Sequence, residues 1–209
     1  LAVDIRDGAL DGIHAQGASV LEFDVSISNV GGDGVNAQNC RTIKRSLEIE
    51  RERKGGFRIV GCGGGGVVAT QCASVLLSEM VISACGGPGL EVTAASGEYL
   101  TIELEKARVT SCAGPGAVTL DASQSLGATL RVNGVTCADN VGHGFHVLGS
   151  NLQPSPGSNT AIVAHEMGHN FSMDNGGDGI RIELDGSTAS RPRCAGTVAT
   201  GCTASGPPA

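Results

Sequence analysis

A glycine followed by an apolar residue, usually just after another turn residue, recurs along this chain and marks seven anchors. The anchors are Gly12-Ile13, Gly34-Val35, Gly66-Val67, Gly89-Leu90, Gly116-Ala117, Gly144-Phe145 and Gly179-Ile180, and successive ones lie 22, 32, 23, 27, 28 and 35 residues apart. The period is elastic but runs along nearly the whole chain. Between anchors, Leu21-Glu-Phe-Asp-Val25, Leu47-Glu-Ile-Glu50, Ile102-Glu-Leu-Glu105 and Leu130-Arg-Val-Asn133 alternate apolar and polar residues. That alternation is the mark of a strand with one buried face. A unit of short strands and glycine turns cannot bury its apolar face alone, whereas stacked units share one continuous core. The pattern therefore predicts an all-β solenoid of about seven coils over residues 1–204. Corner-loop insertions at 51–56 and 151–159 absorb the longer spacings, and Ser205-Gly-Pro-Pro-Ala209 begins a Pro-rich tail or linker.

Composition narrows the function. With 33 glycines, five aromatic residues and no tryptophan, the core must be built from Val, Ile, Leu and Ala in thin layers. A net charge of −7 argues against nucleic acid or an anionic membrane surface as partner, since both need a basic face. No apolar run approaches the ~18 residues needed for a membrane-spanning helix, so no membrane insertion is expected. The chain starts at Leu1, which reads as a mature secreted product or an excised segment. Eight cysteines, an even count, point to an oxidising compartment, extracellular or at the cell surface.

The phrases Asn29-Val-Gly-Gly-Asp-Gly-Val35 and Asp174-Asn-Gly-Gly-Asp-Gly-Ile180 resemble the coils of right-handed parallel β-helix proteins of the pectin-lyase-like superfamily, over about residues 5 to 186. The resemblance implies the fold and not the function.

The cysteines follow the same register. Cys62, Cys85 and Cys112 each lie four residues before an anchor glycine, while Cys40 and Cys72 each lie six after one. Equivalent positions in neighbouring coils stand ~4.8 Å apart, inside the ~4.4–6.8 Å Cα window of a disulfide. The expected bridges are Cys40–Cys72, Cys62–Cys85, Cys112–Cys137 and Cys194–Cys202; the alternative is an inward ladder of thiols.

Three chemistries are written in the sequence. His165-Glu-Met-Gly-His169 is similar to the zinc helix of the metzincin proteases, especially the reprolysin branch, which implies His165 and His169 as zinc ligands and Glu166 as general base. Ser172 stands where that pattern has glycine, Asn175 where it has the third histidine, and no Met-turn follows. Histidines four apart share a metal on a helix, but stand ~13 Å apart on a strand. Asn170-Phe-Ser172 is also a glycosylation sequon.

Second, Gly142-His-Gly144 followed by Arg181-Ile-Glu183 resembles the G-H-G and R-I-K pair of polygalacturonases on adjacent coils. Gly87-Pro-Gly89 and Gly114-Pro-Gly116 occupy the places of that family's catalytic aspartates, and Glu183 that of its lysine. Without paired carboxylates the acid–base chemistry of glycoside hydrolysis has no agents.

Third, in-register stacking would place Glu22, Glu48 and Glu103 in one outward column and Asp24, Glu50 and Glu105 in a second, interrupted by Arg131 and Asn133. Such a stripe suits calcium or a glycan, or is simply solvated. The only basic cluster, Lys44, Arg45, Arg51, Arg53 and Lys54, falls in a loop on this reading.

The reading that results is a non-catalytic extracellular structural or adhesive module without a resident cofactor. Leu1-Ala-Val-Asp-Ile5 already reads as a strand with no amphipathic cap, so self-association through end coils, or continuation into a longer chain, is expected. The alternatives are a zinc metalloprotease and a glycan-binding or pectin-active β-helix.

Overall fold

The computed structural model describes residues 3–45, 57–149, 162–168, 170–184 and 202–205. They form three parallel sheets and no helix. Sheet A stacks Val3–Arg6, Val25–Ser28, Phe57–Val60, Met80–Ser83, Arg108–Thr110, Thr136–Ala138 and Phe171–Met173. Sheet B stacks Ile13–Gln16, Val35–Gln38, Val67–Cys72, Leu90–Ala94, Gly116–Ala122, His143–Gly149, Ile180–Leu184 and Cys202–Ser205. Sheet C stacks Val20–Phe23, Thr42–Arg45, Ser74–Ser78, Tyr99–Glu105, Gly127–Asn133 and Ile162–Gly168. The chain visits A, B and C in turn, so the nth strands of the three sheets make coil n. This is a three-sided parallel β-helix whose seventh coil contains the Phe171 and Ile180 strands.

Local conformation explains the corners. After every strand of sheet A the chain turns through one residue with positive φ: Asp7, Asn29, Gly61, Ala84, Ser111, Asp139 and Asp174, with φ between 51° and 69°. Asp and Asn occupy four of these seven positions, as suits residues that tolerate the left-handed region. Glu79, Lys106 and Gly134 do the same after sheet C. The anchor glycines have a different reason. They open the strands of sheet B, where adjacent coils approach so closely that a Cβ at Gly34 or Gly144 would lie 2.5 Å from the carbonyl oxygen of the next coil's anchor. In coil 5 the register shifts by one: Leu90 pairs with Val118, so Ala117, and not Gly116, takes the anchor position.

Inward side chains form columns. Sheet A contributes Ile27, Ile59, Ile82, Val109, Cys137 and Ser172, one per coil from coil 2 to coil 7, all buried. Sheet B contributes Val35, Val67, Leu90, Val118, Phe145 and Ile180. Phe23 and Phe57 pack with ring centroids 5.4 Å apart at the corner between sheets C and A. One ion pair is interior. Asp24 and Arg45 meet at 3.4 Å with side chains 3% and 4% exposed, and Arg45 also donates to the Ser78 carbonyl at 3.0 Å. Those partners compensate the desolvation that an isolated buried charge would suffer.

The acidic stripe is corrected by this register. The sheet C strand of coil 2 is Thr42–Arg45, so Glu22 stands opposite Lys44 and bonds it at 2.7 Å. Glu103 stands opposite Leu76 and Arg131, and Arg131 bonds it at 2.9 Å. Asp24 is buried with Arg45 instead of facing outward, Glu105 pairs with Ser78 and Asn133, and Glu48 and Glu50 lie outside the described residues. Lys44 and Arg45 are strand residues, not part of a basic loop. Lys44 and Arg131 thus offset the charges of Glu22 and Glu103.

Candidate functional site

On the outward face of sheet B one ladder carries Glu91, Thr119, His146 and Arg181 on coils 4 to 7, and the next carries Asp121, Leu148 and Glu183. His143, at the start of its strand, and Asp178, in the turn before Ile180, complete a cluster on coils 6 and 7. The Asp178 backbone N–H donates to His143 Nδ1 at 2.8 Å, so the neutral His143 ring carries its proton on Nε2. The rings of His143 and His146 lie 5.3 Å apart. His146 Nε2 meets Glu183 Oε1 at 3.3 Å, and the Arg181 guanidinium bonds the same carboxylate oxygen. Arg181 also lies 3.8 Å from Asp178.

The charges tune one another. The Arg181 hydrogen bond, with help from His146, pulls the Glu183 carboxyl below its ordinary value. Burial pushes His143 down, against the opposing pull of Asp178. Farther along the same face burial pushes Glu91 up, and the fields of Asp33 and Asp121 add to it.

Beneath this charged rim are two polar atoms without partners. Thr119 Oγ1 and His146 Nδ1 are buried and unbonded among the described residues, and their residues are direct register partners on adjacent coils. With Nε2 facing a carboxylate, Nδ1 of a neutral His146 is an acceptor, while the Thr119 hydroxyl can both donate and accept. Buried groups of this kind normally find a partner, so the pair marks a place for one.

Sequence reasoning paired His143 with Arg181 and Glu183, and the structure brings them together. It missed Thr119, His146 and Asp178, which a register-aware reading of sheet B would have found one coil apart on the same face.

The HEMGH segment is placed differently from the zinc motif it resembles. Residues 162–168 are a strand paired with Gly127–Asn133, so His165 and Glu166 lack the helix that the motif's geometry depends on. Ala164 pairs with Leu130 and Met167 with Val132, which leaves residues 165 and 166 together opposite Arg131, a β-bulge. His169 lies outside the described residues. Asn170, the sequon residue, donates from Nδ2 to the Val132 carbonyl at 2.9 Å and accepts from the Val135 N–H at 2.9 Å. Asn175, at the third histidine's place, is likewise engaged inside the coil, bonded to Asn140, Ser172 and the Cys137 carbonyl.

Cys40, Cys62, Cys72, Cys85, Cys112 and Cys137 are free, buried thiols. Gln38 pairs with Thr70, which sets Cys40 against Cys72, and Cys62, Cys85 and Cys112 stack at one corner. Cys137 is not the register partner of Cys112: it stands opposite Val109 and Ser172 in sheet A. Cys194 and the side chain of Cys202 lie outside the described residues.

A family model described as a right-handed beta helix region matches residues 2–161. No curated protein and no solved structure matches the chain. The three parallel sheets continue beyond the match through the strands Ile162–Gly168, Phe171–Met173 and Ile180–Leu184.

Proposed function

The chain belongs to the right-handed β-helix family, and from that premise we propose that it is a non-catalytic adhesive module, working outside the cell, whose sheet B face binds a neutral glycan around Thr119, His146 and Arg181. The observation that carries this reading is the pair of adjacent buried polar atoms, Thr119 Oγ1 and His146 Nδ1, left without partners under an accessible guanidinium and carboxylate. Sugars present hydroxyls that donate and accept, which is the chemistry this pair lacks. The face also selects against polyuronates. Asp33, Glu91, Asp121, Asp178 and Glu183 line it against one arginine, so an anionic polymer laid along the coils would be repelled, although a pectin-type resemblance implies such a ligand.

The test is binding of the intact chain to immobilised neutral and uronic polysaccharides. Retention on a neutral glycan, weakened about tenfold in His146→Ala and Arg181→Ala, supports the reading. Binding to polygalacturonate alone, or binding indifferent to both substitutions, defeats it.

The strands Val3–Arg6, Ile13–Gln16 and Val20–Phe23 each have a partner on one side only among the described residues. Such edges favour end-to-end association of copies as a companion proposal. Sedimentation that stays monomeric at high concentration would reject it.

A further inference from the structure

At the corner after sheet A lies a group of nucleophiles that the sheet B face does not use. Cys62, Cys85 and Cys112 each follow the positive-φ residue of coils 3, 4 and 5, namely Gly61, Ala84 and Ser111. The backbone fixes them as a stack: the Gly86 N–H donates to the Cys62 carbonyl at 2.8 Å, and the Ala113 N–H to the Cys85 carbonyl at 3.0 Å. All three side chains are buried. The stack ends on both sides in residues that cannot join it. Val30 precedes it in coil 2, with the Gly63 N–H on its carbonyl, and Asn140 follows it in coil 6, where its Oδ1 accepts from the Cys112 N–H at 2.9 Å.

We propose that Cys62, Cys85 and Cys112 form one thiol–disulfide exchange site, in which Cys85 is bonded to either neighbour and the third cysteine stays a thiol. Three equivalent positions ~4.8 Å apart allow Cys85 to meet either neighbour within disulfide geometry, whereas Cys62 and Cys112, two coils apart, exceed it. The column has an odd number of members, so pairing within it always leaves one over. The Cys85 thiol donates to the Ser83 carbonyl at 3.6 Å; Cys112 lowers that thiol, Cys62 and burial raise it, and the balance lies at about 11.

The chemistry closes on named reactants. Oxidised glutathione takes two electrons from the Cys85 thiol and one neighbouring thiol. The protein Sγ–Sγ bond forms, the glutathione S–S bond breaks, and the two protons leave with two glutathione thiols. In the exchange step the Cys62 thiolate, the one thiol of the three held below its ordinary value, attacks the Cys85 sulfur and Cys112 departs and takes up the proton, with no net oxidation. A stack places attacking, central and leaving sulfurs in file, as this displacement requires.

The experiment is to refold the full chain in a glutathione redox buffer, quench with acid, alkylate, and map cross-linked peptides after cleavage at glutamate and arginine: Glu79 and Glu91 separate the three cysteines, Arg131 separates Cys112 from Cys137, and fragment spectra assign the bridge where Cys62 shares a peptide with Cys72. Both Cys62–Cys85 and Cys85–Cys112 peptides are expected from the wild-type chain. Cys62→Ala should give only the second, Cys112→Ala only the first, and Cys85→Ala neither, with Cys62 and Cys112 both alkylated. The wild-type map stands alone if a variant fails to keep its β circular dichroism. A Cys112–Cys137 peptide in place of Cys85–Cys112, a Cys62–Cys112 bridge in Cys85→Ala, or a fully alkylated column in the wild-type chain would overturn the proposal.

Discussion

The interiors of coils 3 to 5 and of coils 6 and 7 occupy the same positions of the same fold with different chemistry. In sheet A the inward column runs Ile59, Ile82, Val109 and then Cys137 and Ser172. At the following corner the thiols of Cys62, Cys85 and Cys112 give way to the amides of Asn140 and Asn175. The middle coils are held by apolar burial. The last ones add a connected polar network: Asn140 Nδ2 donates to Asn175 Oδ1 at 2.8 Å, to Ala138 O at 3.0 Å and to Val109 O at 3.2 Å, and Asn175 Nδ2 donates to Ser172 Oγ at 2.9 Å. The candidate ligand face lies over these polar coils. A network of directed bonds fixes a coil's geometry more tightly than interchangeable methyls do, which suits a coil that must present side chains outward.

The comparison is broken most easily in the apolar half. Ile82→Ala should lower stability by about 2–5 kcal/mol through the cavity it leaves, while Ser172→Ala at the equivalent position should cost about 1 kcal/mol. Urea midpoints of the two variants that coincide would show that the halves are not held differently. Asn140→Ala comes next, at about 1–3 kcal/mol, because it orphans the Cys112 N–H and the carbonyls its amide served. Amide exchange should then quicken in coils 6 and 7 and stay slow at Ile59; uniform quickening would deny the network its local role.

Acid should weaken the polar half first. His143 is held below its ordinary 6.5 by burial, so the unfolded chain binds its proton before the folded one does. Its contribution is complete above pH 6.5 and is lost as pH falls through the folded value. Glu183, held below 4.5 chiefly by the Arg181 hydrogen bond, behaves in the same sense in a more acidic window. His143→Gln should flatten the upper limb of a stability–pH curve and leave the lower limb intact, and an unchanged upper limb would refute the assignment. The smallest effect lies outside the comparison: Lys44→Ala, which removes the exposed bond to Glu22, should cost about 0.2–1 kcal/mol and nothing measurable at high salt.

The solenoid was legible because its determinants are local and repeat: alternation in strands such as Ile102–Glu105 and a small residue wherever neighbouring backbones meet. Register was less legible, because it depends on the length of each corner. The Leu47–Glu50 alternation lies outside the described residues, whereas Thr42–Arg45 is the strand that pairs with Val20–Phe23, which sets a lysine and not a glutamate opposite Glu22. Gly116-Ala117 imitates an anchor one residue early, because Gly-Pro-Gly supplies a second glycine. The site was half legible. His143, Arg181 and Glu183 carried a motif, whereas Thr119 and His146 belong to it only through ladder positions on strands 27 and 35 residues apart in sequence.

Among the described residues each strand pairs only with strands of the coil before and the coil after; Ile13 pairs with Val35, 22 residues on, and Phe145 with Ile180, 35 residues on. No pairing joins the first coil to the last. Folding is therefore an act of propagation: closing the first coil against a second carries the entropic loss of a long loop with little burial in return, and every later coil docks on a finished template. Loss runs the other way, as a zipper opening from its ends. A shortened chain that keeps only the middle coils should consequently retain their protection while losing His146 and Arg181 from the proposed ligand face, which that face draws from the last turns of the spiral.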